Sequence, residues 1–354
     1  HGTATPFNDP AEAKALARAL AAQDDVPVMH PLKAQIGHTL GAAGALESLA
    51  CVDAITRGIL PASAGEGELD PDAPARLLAR SVEGAPRTAL KLACAFGGAN
   101  AALVVSRDPA GSVRPPRPTF LRAAVAVLAE PSSEELAAAT GLRVDRLVRA
   151  DGLVRLAIAA VARLQASFGS LAGAGVVVGT ALATVETNAL FARPVREKGG
   201  RAAEPRRFPY TSPNAVAGEC SIAFGLTGPS FSVGGGLHAG LEAVVAGTWL
   251  VGAGDADRVV VVAVDEGGPA TRALAGDAVR PGAVAVLLDA SPEGALARMG
   301  ALHVVRGRPV AEGVAAGHAA LLPLVSATTP ASLPTELASS APPDSMAVVR
   351  LEPL

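Results

Sequence analysis

Three short stretches place chemistry-bearing side chains among glycines: His1-Gly-Thr-Ala-Thr-Pro6, Lys33-Ala-Gln-Ile-Gly-His38-Thr-Leu-Gly-Ala-Ala-Gly44 and Ala95-Phe-Gly-Gly-Ala-Asn100. A neutral imidazole donates a hydrogen bond at neutral pH without carrying a full charge, and a lysine adds a fixed positive one. Two histidines and a lysine therefore suit the stabilisation of an oxyanion or enolate. Either histidine alone is as readily a structural residue beside a glycine turn, but the set is harder to explain that way. The small residues after His38 are expected to let a helix N-terminus approach another backbone, leaving the imidazole and the lysine to project into a cleft.

Secondary structure must hold these side chains in place. Ala and Leu recur at helical spacing over 10–22 behind Asn8-Asp9-Pro10, and Gly41 to Arg57 reads as a second, small-residue helix stopped by Gly58 and Pro61. Residues 88–95 and 99–106 read as buried strands split by Gly97-Gly98. Residues 108–118 carry four prolines and no apolar periodicity, the mark of a linker. Beyond it the expected order is strand 120–128, an amphipathic helix over 143–167 with Arg143, Arg146 and Arg149 on its wet side, strand 175–180 and helix 213–224. Strand 230–233, helix 238–252 and strands 258–264 and 283–289 follow. Strands alternating with helices imply a largely parallel, layered α/β sheet. The stretch 292–345, rich in Ala, Pro, Ser and Thr, is expected to be a loosely ordered tail that closes with a strand at 346–351. The division is thus 1–107, linker 108–118, 119–291 and an Ala/Pro-rich tail 292–354.

Composition narrows the function classes. The 354 residues carry 30 Lys+Arg against 33 Asp+Glu, a net charge of −3, which excludes a strongly basic nucleic-acid binder. With 50% hydrophobic and 18% charged residues the chain is not disordered, and it has no unbroken apolar run of 18 residues, so no membrane span is expected. At 3% aromatic residues, the core must be packed with Ala, Val and Leu. Cys51, Cys94 and Cys220 are an odd number at no metal-like spacing, against a disulfide scaffold or zinc site and consistent with a reducing cytoplasm. His1-Gly2-Thr3 lacks the basic and apolar regions of a secretory signal. A chain that opens inside a motif is expected to be a piece of a longer protein.

The run His1-Gly-Thr-Ala-Thr-Pro-Phe-Asn-Asp9-Pro-Ala-Glu12, then Lys33…Gly37-His38…Gly41-Ala-Ala-Gly44-Ala-Leu-Glu47, then Phe96-Gly-Gly-Ala-Asn100, resembles in order and spacing the C-terminal catalytic part of the β-ketoacyl synthases. The resemblance covers about the first hundred residues. It implies a thiolase-like α/β fold, layered α/β/α/β/α and incomplete in this chain, and an acyltransferase acting in fatty-acid or polyketide (polyene-type) biosynthesis. The implied reaction is decarboxylative Claisen condensation of malonyl and acyl thioesters. Acyl carrier protein is the implied partner; phosphopantetheine arrives on it, and neither a bound cofactor nor a metal is expected. In that family a cysteine takes the acyl chain as a thioester, and two histidines hold the malonyl carbonyl while carbon dioxide leaves. His1 and His38 stand at the histidine positions, Lys33 at the family lysine and Glu47 at its ion-pair partner. Phe96 stands at the gatekeeping phenylalanine, and Asp9 and Glu12 are supporting residues. Where the family has Asn-Ser-Phe-Gly before the gatekeeper, this chain has Leu92-Ala-Cys-Ala95, and Cys94 reads as packing on a buried strand.

The run Asn214 to Val233, with Val176-Val-Val-Gly-Thr180 upstream, is similar to the stretch leading into the nucleophile elbow in the N-terminal half of the same family. Where the family reads Thr-Ala-Cys, this chain reads Gly235-Gly236-Leu237, and leucine cannot form a thioester. The second segment thus resembles the inactive partners called chain-length factors, which pair with a ketosynthase subunit in homo- or heterodimers. Cys220, on the preceding helix, reads as a buried thiol. The expectation is a ketosynthase fused to a chain-length-factor-like domain, with the nucleophile encoded upstream of His1 and this chain alone inactive in condensation. Three alternatives stay open: a single permuted domain, a purely non-catalytic partner, and a dinucleotide-binding protein suggested by Gly234-Gly-Gly236-Leu-His-Ala-Gly240 with Asp265. The arginines at 143–149 and 201–207 form a solvated face on which an acidic carrier protein could dock. His238 reads as a capping or surface residue, and His30, His303 and His318 have no motif around them.

Overall fold

The computed structural model describes residues 1–20, 27–65, 68, 71, 75–95, 100–108, 111, 115–234, 236–306, 317–327, 329–341, 345–352 and 354. The chain divides into two compact units, His1–Ala95 with Asn100–Val113, and Arg114–Leu354.

The first unit is built from α1 (Asn8–Ala19), α2 (Lys33–Ile36), a 3-10 turn at Leu40–Ala42 that runs into α3 (Ala43–Arg57), the two-residue strands β1 (Ile59–Leu60) and β2 (Val82–Glu83), and the hairpin of β3 (Thr88–Cys94) and β4 (Asn100–Ser106). α3 stops where Gly58 turns left-handed and returns its N–H to Ala54 O. The strands do form, but they are not buried as expected. Every described side chain of β4 but one is exposed, Leu103 and Val104 included. α3 packs on this two-stranded ribbon without burying β4, and an apolar run reports hydrophobicity rather than the presence of a neighbour. Leu46, Leu49 and Val52 of α3 are exposed as well.

The second unit runs β5 (Phe120–Val127), α4 (Ser133–Thr140), α5 (Val144–Leu147), α6 (Gly152–Phe168), β6 (Gly175–Thr180), α7 (Val185–Lys198), α8 (Asn214–Phe224), β7 (Ser230–Gly234), α9 (Ala239–Ala253) and β8 (Arg258–Asp265). It continues with α10 (Pro269–Ala275), β9 (Gly282–Asp289), β10 (Ala297–Arg306), α11 (Leu322–Val325), β11 (Glu336–Ala341) and β12 (Ser345–Glu352). Its eight strands form one sheet in the order β11-β12-β10-β5-β9-β8-β6-β7. Alternate strand residues feed two cores, as a period of two requires. Val176, Val178, Val260, Val262 and Leu287 pack with α6 and α8, and Val177, Val259, Val261, Val286 and Leu288 pack with α9.

The sheet is mixed, not largely parallel: among the described residues only β6–β7 and β6–β8 run parallel in it. Asp265, at the end of β8, pairs with Gly282 at the start of β9, so the connection carrying α10 stays at one end of the sheet and β9 must return antiparallel. The helix expected over 143–167 is broken in two. Asp151 caps α6 by accepting Val154 N–H at 2.9 Å, and an N-cap aspartate followed by glycine is a start signal, not a helix interior. Of the three arginines given to its wet side, Arg146 reaches Glu219 at 2.5 Å, while Arg143 and Arg149 pair with Asp145.

The stretch expected as a loose tail is the largest correction. β10, β11 and β12 extend the sheet, and the turn at Gly317–Leu321 packs on α9 with β11 and β12. Ala and Ser give these strands little hydrophobic contrast in sequence, yet Leu337, Ala347, Val349 and Leu351 are buried in the α9 core. A buried pair fastens the turn: Asp265 accepts His318 N–H at 2.8 Å, His318 Nδ1 lies 3.0 Å from the same oxygen, and Ala181 N–H donates to the other at 2.8 Å. Gly317 has φ +57°, and a side chain there would collide with the Asp265 carboxylate, so only glycine fits. Among the described residues no helix is long and apolar enough to cross a membrane.

His318→Ala leaves a buried acceptor short of a donor, a loss of about 1–3 kcal/mol. The urea midpoint of the full chain should fall accordingly; an unchanged midpoint would show that the pair does not hold the turn.

Candidate active site

The segment bearing His1 is held down by α1. Glu12 takes the His1 main-chain nitrogen on one carboxylate oxygen and Gly2 N–H at 2.9 Å on the other, while Asp9 accepts Thr3 N–H at 3.2 Å. Gly2 has φ +54°, and a Cβ there would lie 2.8 Å from Pro31 Cβ, so glycine lets this segment lie against the approach to α2. Lys33 opens α2 and is buried. Its Nζ donates to the His1 carbonyl at 2.7 Å and to Glu47 Oε1 at 2.5 Å, and lies 3.4 Å from His1 Nδ1.

An ammonium group can only donate, so His1 Nδ1 accepts and the ring proton sits on Nε2. His38 is set in the same tautomer by a different donor, Leu40 N–H, 3.1 Å from its Nδ1. The two rings stand edge to face, 5.6 Å between centroids at 83°. Two Nε2–H groups on neighbouring imidazoles are thereby left as donors. His38 is exposed, so this edge of the site is open in the chain as it stands. The small residues behind it do not serve the close approach expected of them: Gly41 and Gly44 have open space where a Cβ would go.

Glu47, on α3, also faces Lys91 of β3, whose Nζ is 2.6 Å from Oε2. Burial pulls the Glu47 carboxyl up, but the hydrogen bonds and charges of the two lysines outweigh it and hold the group below the ordinary carboxylate range. One turn along α3, burial raises the Cys51 thiol, with Lys91 opposing and Glu47 reinforcing. Beside this cluster is a cavity of about 780 Å³, lined by His1, Glu47, Cys51 and Lys91 and by apolar groups such as Leu16 and Leu32.

The structure thus brings His1, Lys33, His38, Glu47, Asp9 and Glu12 into one neighbourhood. Phe96 lies outside the described residues. Cys94 is half-buried on β3. Sequence reasoning missed Lys91, although a lone charge inside Thr88-Ala-Leu-Lys-Leu-Ala-Cys94 was a visible signal. It also missed the pairing of His318 with Asp265.

Leu237 belongs to the second unit, in the turn before α9. Its carbonyl accepts Gly317 N–H at 2.8 Å and Ser339 Oγ–H at 2.9 Å, and His238 Nδ1 is 3.1 Å from the same hydroxyl. Cys220 is fully buried on α8, its thiol pushed up to about 12 by burial, with Glu219 adding to the effect. The Asp265 carboxylate, the acidic residue of the dinucleotide reading, is buried and accepts from Ala181 and His318 within the fold. Among the described residues no group of His, Cys, Asp and Glu is placed to hold a metal ion.

Residues 1–65 match the Beta-ketoacyl synthase, C-terminal domain, and residues 134–280 match the Beta-ketoacyl synthase, N-terminal domain. The chain belongs to the β-ketoacyl synthase family. It is 38% identical over 109 residues to the tetracenomycin polyketide synthase ketoacyl synthase alpha subunit of Streptomyces glaucescens, covering 30% of this chain and 25% of that one. It is 36% identical over 104 residues to 3-oxoacyl-[acyl-carrier-protein] synthase 2 of Mycobacterium leprae (strain TN), covering 29% and 24%. The chain spans about a quarter of the length of these curated ketosynthases. Among solved structures it is similar to "PfaC Keto synthase-Chain length factor", with TM-score 0.60 and 16% identity over 86% of this chain and 44% of that one. The fold is the mixed, layered α/β architecture of the thiolase-like ketosynthases.

Two measurements check the electrostatics. A carboxyl held low in the native state stabilises above its ordinary pKa of 4.5 and loses that stabilisation as pH falls through its lowered value. Glu47→Gln should therefore flatten the acid limb of stability against pH, and parallel limbs in both proteins would refute the assignment. Native alkylation at pH 8 should leave Cys220 unmodified; its labelling would contradict a buried thiol.

Proposed function

We propose that this chain serves a β-ketoacyl-[acyl carrier protein] synthase of fatty-acid or polyketide biosynthesis, with the first unit holding the malonyl thioester and the second acting as a chain-length-factor-like half. The observation that carries the reading is the pair of neighbouring imidazoles whose Nδ1 atoms face donors, which leaves their protons on Nε2. As the carbon–carboxylate bond of the malonyl group breaks and carbon dioxide leaves, its electron pair moves into the enolate, whose oxygen charge the two donors stabilise. The α-carbon then attacks an acyl thioester, and the thiolate departs. Donors already in place stabilise the transition state without reorganising, and removing one such donor typically costs about 10²–10³ in kcat.

The thiolate comes from outside the elbow described here, since Leu237 has no nucleophilic atom. That absence favours a non-catalytic role for the second unit. Among the described residues β7 lies at the edge of the sheet with β6 as its strand neighbour, which offers a row of backbone groups on which a ketosynthase subunit could add its own strand. The name of the Mycobacterium leprae relative supports acyl carrier protein as a partner. Cys51, Cys94 and Cys220 are unpaired, which suits work in the reducing cytoplasm.

In synthase reconstituted with acyl carrier protein, His38→Ala should lower the condensation rate by about 10²–10³; an unaffected rate would overturn the assignment. The chain alone, incubated with a radiolabelled acyl thioester of the carrier protein, should stay unlabelled. A stable thioester on Cys51, Cys94 or Cys220 would contradict the reading of Leu237.

A further inference from the structure

Glu47 is gripped by two ammonium groups. Lys33 Nζ is 2.5 Å from Oε1 and Lys91 Nζ 2.6 Å from Oε2, and all three side chains are almost wholly buried, at 6%, 9% and 11% exposure. Lys91 sits in the middle of β3 and is its most buried residue, and it also donates to the Leu92 carbonyl. The terminal torsion of a glutamate is soft and roughly two-fold. A carboxylate held by one oxygen can therefore swing, while one held at both oxygens cannot.

We propose that Lys91 is a positioning residue of this site: by holding Oε2 of Glu47 it fixes Oε1 for Lys33, and through Lys33 it keeps His1 as an Nε2–H donor. The chain of contacts is continuous, from Lys91 to Glu47, from Glu47 to Lys33, and from Lys33 to both the carbonyl and Nδ1 of His1. Without Lys91, Glu47 keeps one partner and a free oxygen, Lys33 follows its carboxylate, and His1 Nδ1 loses the donor that decides its tautomer. The inference rests on the ketosynthase reading for what the His1 donor does, but the positioning itself is measurable without turnover.

The test uses the full chain with ¹⁵N-labelled histidine, the His1 signals being assigned by their loss in His1→Gln. The wild-type ring should show an unprotonated Nδ1 and a protonated Nε2. Lys91→Met should shift His1 to averaged tautomers while leaving the His318 signals in place, and Lys91→Arg should retain the wild-type pattern. Lys91→Gln, which can still donate to the Leu92 carbonyl, gives the same reading if Lys91→Met does not fold. An unchanged His1 tautomer in either folded variant would overturn the proposal. In reconstituted synthase the neutral variants should lower kcat by up to about 10²-fold with KM unchanged. A wild-type synthase without turnover would count against the ketosynthase reading and leave the resonance result standing.

Discussion

A carboxylate buried with two ammonium groups is stable only while all three stay together; removing one partner of such a group typically costs about 3–5 kcal/mol. Glu47 imposes that condition on α3, α2 and β3 at once, because its two partners, Lys33 and Lys91, come from different elements. The first unit has few apolar side chains out of water, Ala13, Ala43 and Ile55 among the described residues. In so thin a core, a polar cluster takes over part of the task of fixing elements relative to one another; His38 lies in the link between α2 and α3, and Lys33 of the cluster reaches His1.

The second unit is organised by the opposite principle. Nearly continuous apolar strands, Val259 to Val264 and Ala283 to Leu288, are buried on both faces, and α9 is covered between the sheet and the segments after residue 317. The turn before α9 is tied by main-chain and hydroxyl hydrogen bonds from Gly317 and Ser339 to the Leu237 carbonyl.

Periodicity located β3 to β9 and β12 and the helices α1, α3, α6, α8 and α9, but not α4, α7 or α10; strand 175–180 is β6, and the stop at Gly58 lies where a left-handed glycine was required. Spacing also picked out His1, Lys33, His38 and Glu47, which the structure brings together. What stayed hidden depended on tertiary partners. β9 runs antiparallel because of where α10 lies, which no local pattern encodes. Ala-rich and Ser-rich β11 looks loose until α9 is there to cover it. Lys91 resembled an interruption in an apolar strand because its partner is far away in sequence, and His318 could not be read at all without Asp265 beside it.

The central claim is that lysine and backbone donors fix both imidazoles with their protons on Nε2. Neutron diffraction from deuterated crystals of the chain at neutral pH tests it most directly. Deuterons are expected on Nε2 of His1 and of His38, with three on Lys33 Nζ; a deuteron on Nδ1 of either histidine would contradict the account.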